Sequence, residues 1–117
     1  MARARTGGDP LAALLALSGA VAVIAGAYGA HGASGKAADW LATGAHYQMI
    51  HAVAGLVALQ KARGPAALLL LGAALFAGTL YAMALGGPKW LGAVTPLGGL
   101  AMILGWTWLG VALLRGR

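Results

Sequence analysis

Four stretches of this chain, residues 10–30, 40–60, 65–86 and 96–114, contain no Asp, Glu, Lys or Arg. Each is about the 20 residues that a helix needs to cross a hydrocarbon core of about 30 Å, and a backbone in lipid must satisfy its hydrogen bonds within itself. The sequence therefore predicts an all-α, polytopic membrane protein: an antiparallel four-transmembrane-helix bundle in which residues 1–117 form a single transmembrane domain. Composition agrees, since 61% hydrophobic and 9% charged residues would leave a soluble domain with little to cover its surface.

The net charge of +6 would ordinarily invite a nucleic-acid reading, but the basic residues are scattered over short polar segments instead of forming one face. No nucleic-acid partner is expected. Sorted by side, Arg3, Arg5, Lys61, Arg63, Arg115 and Arg117 share one end of an even-numbered bundle and only Lys36 and Lys89 the other. The excess of Lys and Arg marks the cytoplasmic face, so both termini are expected in the cytoplasm. Trp40 and Trp90 fall at the outer ends of their spans, where amphipathic rings favour the headgroup region. A weaker alternative treats Arg3, Arg5 and the first apolar run as a secretory signal; the run is longer than an ordinary signal core, and its removal would place the C-terminal arginines opposite the Lys61–Arg63 loop.

Helix starts are punctuated by Asp9-Pro10, Gly64-Pro65 and Thr95-Pro96, with Asp39 before Trp40 expected to cap the second helix. Gly29, Gly32, Gly86 and Gly87 are expected to stop the first and third. The connections are short enough to make consecutive helices antiparallel neighbours. Because helices in lipid associate through close van der Waals contact, small residues at helical spacing predict the packing seams. These are Gly19, Ala22, Gly26 and Gly29 in helix one, Ala74, Gly78, Ala82 and Gly86 in helix three, and Gly98, Ala101, Gly105 and Ala112 in helix four. A seam left unfilled would serve a homo-oligomer or a membrane-protein partner.

Helix two differs, because its stripe of Gly44, Gln48, His51, Gly55 and Ala58 carries two strongly polar side chains, flanked by Tyr47. Counted from Trp40, His51 lies about 16 Å deep, close to the bilayer midplane. Polar groups at that depth face the bundle interior and mark the place where a membrane protein acts. His46 projects from the opposite side and is read as incidental, and His31 as the occupant of a helix end.

Other chemistries fare poorly. His46 and His51 are spaced five apart, unlike a ligand pair, and no span contains a carboxylate, so neither a metal site nor any cofactor is expected. A copper(I) site built from His51 with Met49, Met83 or Met102 is chemically conceivable, but methionine more often fills apolar gaps. With no cysteine, few hydroxyl residues, and Asp9 and Asp39 on opposite sides of the membrane, no nucleophile is paired with a base and no enzyme is expected. A faint likeness of Ala25-Gly26-Ala-Tyr28 to Ala77-Gly78-Thr-Leu-Tyr81 hints at two related hairpins, in imperfect register.

Four motifs in order, Gly26-Ala-Tyr28-Gly29-Ala-His31-Gly32, Tyr47-Gln48-Met-Ile-His51-Ala, Phe76-Ala-Gly78-Thr-Leu-Tyr81 and Thr95-Pro96-Leu97-Gly98-Gly99 through Leu104-Gly105-Trp106, resemble the YgdD-like family of small bacterial inner-membrane proteins. The resemblance covers nearly the whole chain and implies a four-helix membrane bundle with eukaryotic relatives among small transmembrane proteins; it implies no activity. The family pattern falls on His31, Tyr47, Gln48, His51, Gly78, Tyr81, Thr95, Pro96 and Gly98. From it follows the expectation that His31, Tyr47, Gln48, His51 and Tyr81 converge on one polar site, with the helix-four N-terminus at Thr95 opening on the same side towards an anion or a lipid headgroup. Two functions stand. One is a non-enzymatic accessory or interaction bundle held by the polar cluster; the other is a protein that binds or moves a small molecule, lipid or ion at His51.

Overall fold

A computed structural model describes residues 7–116. Arg3, Arg5 and Arg117, which contribute to the charge asymmetry, lie outside the described residues. Four helices follow in order: α1 (Pro10–His31), α2 (Gly35–Leu59), α3 (Arg63–Ala84) and α4 (Thr95–Leu114), with a short 3-10 helix (Lys89–Ala93) leading into α4. Three of them, α1, α3 and the segment Lys89–Leu114 that contains α4, are long and apolar enough to cross a membrane. The fourth expected span, in α2, is long enough but less apolar, because it carries His46, Tyr47, Gln48 and His51.

Each helix packs antiparallel against the next, α1 on α2, α2 on α3 and α3 on α4, and α1 meets α3 only slightly. The result is a bundle flattened into a row, with extents of 50 × 27 × 17 Å. The cause lies in which faces carry small residues. Helix α2 offers them on two sides: Gly55 receives Leu15 of α1, and Gly44 receives the ring of Tyr81 of α3. Helices α1 and α4 each pack mainly against one neighbour, so each becomes an edge.

The seams of α1 and α4 fall on the expected residues. Gly19, Gly26 and Gly29 face Ala52, Ala45 and Leu41, and Gly105 faces Leu69. Gly98 touches the backbone of Phe76, and across the same crossing a Cβ on Gly72 would lie 2.8 Å from the Met102 amide nitrogen. On α3 the seam lies on the other face: Ala74 and Gly78 are exposed and Ala82 is half-buried, while Ala66, Leu69, Gly72, Ala73, Ala77 and Leu80 are buried. Two neighbours compete for α3, and they take the faces that carry Gly72 and the larger apolar side chains. At one end all four helices converge on Leu15, Ala58, Ala66, Leu69 and Leu109.

The helix starts divide. Asp9 caps α1, accepting from the amides of Leu11 at 3.0 Å and Ala12 at 3.4 Å. Its carboxylate also takes a two-pronged bond from Arg63 at 3.0 and 3.1 Å, which pins the N-terminus of α1 to that of α3 and holds the Asp9 carboxyl below the usual carboxylate range. Asp39 does not cap α2, which begins five residues before Trp40 with Ser34 as the cap and Gly35 at φ +61°, a left-handed conformation that favours glycine. Thr95 is not a cap either; Val94 holds that position, and the Thr95 hydroxyl turns away to Thr79. The helix starting at Arg63 takes in Gly64 and Pro65 as its first turn.

Candidate functional site

The longer α2 shifts the depth scale. Its midpoint falls at Tyr47, so Gln48 sits one residue past the centre and His51 about 6 Å from it, one turn towards the Lys61 end. Gln48 and His51 are 6% and 5% exposed, and each joins a separate hydrogen-bonded group.

Gln48 ties three helices together. Its Nε2 donates to Ser18 Oγ on α1 at 3.0 Å, and its Oε1 accepts from the Tyr81 hydroxyl on α3 at 2.7 Å. Gly44, one turn away, makes this geometry attainable, since a Cβ there would stand 2.6 Å from Tyr81 Cε1. An amide buried in an apolar seam costs several kcal/mol if unpaired, on the order of 2–7, and here each end of Gln48 has a partner.

His51 joins α2 to α4. Its Nε2 accepts from the indole N–H of Trp106 at 2.9 Å, and its Nδ1 lies 2.7 Å from the Tyr47 carbonyl oxygen. An indole nitrogen can only donate, so Nε2 is unprotonated and Nδ1 carries the proton that it gives to the carbonyl. The ring is thereby fixed as one neutral tautomer. Tyr47 stacks beside it at 6.2 Å and 22°, Trp106 meets it edge-on at 5.8 Å, and Phe76 of α3 leans on Tyr47 at 4.9 Å.

Of the remaining expected residues, Thr95 pairs with Thr79 at 2.6 Å and reaches the Leu91 carbonyl at 3.2 Å, while Thr79 also donates to the Phe76 carbonyl at 3.0 Å. That pair fastens α3 to the start of α4 and is a separate group. His31 is the exposed last residue of α1, and His46 is exposed on α2 with its ring edge-on to Tyr47. The expected single cluster is thus three: Ser18–Gln48–Tyr81, His51–Trp106 with Tyr47, and Thr79–Thr95. Ser18, Thr79 and Trp106 belong to it and were not singled out by composition or spacing. Ser18 was detectable as the one serine or threonine in α1, and Trp106 as an indole too far from either helix end to be an interfacial anchor.

Between α2, α3 and α4 lies a partly open cavity of about 340 Å³, lined by Tyr47, His51, Phe76, Gly99, Met102, Ile103 and Trp106. Among the described residues no three His, Asp or Glu side chains gather as metal ligands would.

The family described as "Protein of unknown function (DUF423)" matches residues 25–99. A UPF0382 membrane protein of Haemophilus influenzae is 38% identical over 104 residues, covering 80% of this chain and 84% of its own. The chain belongs to this family. The UPF0382 inner membrane protein YgdD of Escherichia coli K12 is 37% identical over 112 residues, with 86% of each chain covered. A Staphylococcus epidermidis relative, UPF0382 membrane protein SERP0230, is 38% identical over 112 residues, covering 86% of this chain and 91% of its own. No solved structure matches. The resemblance read from the motifs therefore holds, and with three membrane-length apolar helices this UPF0382 chain is an integral membrane protein.

Proposed function

We propose that this UPF0382 protein is a non-enzymatic accessory or interaction subunit of the bacterial inner membrane, crossing it four times with both termini in the cytoplasm. Its role is to present a fixed helical surface to lipid and to a membrane-protein partner or a second copy. The observation that carries this is the saturation of the central polar groups: both ends of Gln48 and both ring nitrogens of His51 are spent on neighbouring helices or on α2 itself. Groups so occupied are poorly placed to relay a proton or to bind an ion, and well placed to set the angle and register of helices. The fourth crossing is supported by the position of α2, packed along its length between two apolar helices that sequester its polar residues. The orientation is supported by the concentration of Lys and Arg at one end.

His51→Ala removes the acceptor of the Trp106 indole and leaves a void between α2 and α4. The melting temperature of the purified protein in detergent is expected to fall, while proton or ion flux through reconstituted vesicles stays at the level of empty liposomes for both wild type and variant. Measurable flux that disappears in His51→Ala at unchanged melting temperature would overturn the proposal.

A further inference from the structure

The cavity between α2, α3 and α4 contains one polar atom that the hydrogen-bond network leaves over. Tyr47 sits at the midpoint of α2, lines the cavity and is 41% exposed, and among the described residues its hydroxyl has no hydrogen-bond partner. By contrast Tyr81 on α3 spends its hydroxyl on Gln48, Trp106 its indole N–H on His51 Nε2, and His51 its Nδ1 on the Tyr47 carbonyl. A phenol at mid-span has no water to turn to, so an unpaired hydroxyl there is a standing cost that a ligand acceptor would remove.

The rest of the lining defines that ligand. Four ring systems, Tyr47, His51, Phe76 and Trp106, surround the space, and Met102 and Ile103 complete it. Aromatic walls favour a planar partner, in offset or edge-to-face contact. No charged side chain lines the cavity, and its mid-span depth excludes a phospholipid headgroup, so the ligand is uncharged. The volume of about 340 Å³ is at least twice that of the roughly 150 Å³ apolar cavity that accommodates benzene, leaving room for a substituted ring. The cavity is partly open, and on the reading of α2 as a membrane-crossing helix a mouth at mid-span meets lipid, so such a molecule enters from the lipid and its tail stays there.

We propose that this cavity binds an uncharged, planar, lipid-dissolved carbonyl compound of the prenylated-quinone type, its ring between Phe76 and Trp106 and one carbonyl oxygen accepting from the Tyr47 hydroxyl. The site rests on the reading of α2 as a membrane-crossing helix. It adds to the accessory role a small-molecule ligand held beside the His51–Trp106 bond, whose occupancy would stiffen the α2–α4 contact.

The full chain in detergent is titrated with decylubiquinone and the quenching of its tryptophan fluorescence followed, with decylbenzene, which has a ring and tail but no carbonyl, as the comparison. Wild type is expected to show saturable quenching that decylbenzene does not compete away. Tyr47→Phe is expected to bind about tenfold more weakly, the loss of one hydrogen bond, at an unchanged melting temperature, because the hydroxyl has no partner within the protein. Gly99→Leu is expected to abolish binding by filling the cavity; the position has room, since the nearest atom to an added Cβ is Phe76 Cδ1 at 4.0 Å. Non-saturable quenching, equal affinity in Tyr47→Phe, or equal competition by decylbenzene, which would make the cavity an acyl-chain groove, would each overturn the inference. Absent binding combined with a destabilised His51→Ala sinks the inference alone, whereas saturable binding combined with a normally melting His51→Ala sinks the polar-lock reading alone.

Discussion

Gln48 is the residue on which three helices depend, and its two partners should be separable. Ser18→Ala removes the acceptor for Nε2, and Tyr81→Phe removes the donor to Oε1, each leaving half of a buried amide unpaired. Interhelical hydrogen bonds in membranes are worth about 0.6 to 2 kcal/mol, so each variant should lose about 1 kcal/mol of stability. Together they should lose less than the sum, because the second change falls on an amide already free to turn. Unfolding in a denaturing detergent series measures this, and additive losses would show that the two bonds act independently. The hub itself was legible in the sequence, since a glutamine in an apolar stripe has to be answered by something. Its partners were less so. Tyr81 was reached only through the family pattern, and nothing in the spacing of α1 distinguished Ser18 from an incidental small residue.

At the scale of elements, the small-residue stripes of α1 and α4 were readable because each of those helices has a single neighbour along its length, so the stripe and the seam coincide. Helix α3 has two neighbours, and a one-stripe reading had to choose; it chose Ala74, Gly78 and Ala82, whereas the close approach to α4 runs through Gly72. The same ambiguity hid the flattened row, whose shape depends on the angle between the two faces of a helix and not on either face alone. Two substitutions of identical chemistry should therefore behave oppositely. An alanine Cβ at Gly98 would press on the backbone of Phe76, which cannot swing aside as a side chain can, so Gly98→Ala should destabilise the α3–α4 pair by about 1–3 kcal/mol. At Gly78 nothing lies within 4 Å of the added methyl, and Gly78→Ala should be neutral or stabilising by up to about 1 kcal/mol through helix propensity. Melting of the two variants side by side checks it, and a destabilised Gly78→Ala in the monomer would mean that α3 packs on a different face.

For the whole molecule, the number of crossings turns on α2, whose polar residues lower its hydropathy below that of its neighbours. An apolar window measures a helix as though lipid surrounded it. Helix α2 is flanked on both sides, with Gln48 and His51 buried against α1, α3 and α4, so much of what counts against it never meets hydrocarbon. The antiparallel order then fixes the geometry: Arg63 at the start of α3 holds Asp9 at the start of α1, so these two helix starts lie at one end of the row, and Lys36 at the start of α2 and Lys89 at the start of the 3-10 helix lie at the other. If α2 spans and both termini are cytoplasmic as proposed, Lys36 and Lys89 face outward and Lys61 the cytoplasm. The chain has no cysteine, which makes single substitutions clean reporters. In intact spheroplasts Lys36→Cys and Lys89→Cys should react with a membrane-impermeant maleimide, and Lys61→Cys should react only after permeabilisation. Labelling of Lys61→Cys from outside would leave α2 lying along the surface instead of crossing, and with it the mid-span positions of Gln48, His51 and the cavity beside Tyr47 would be lost.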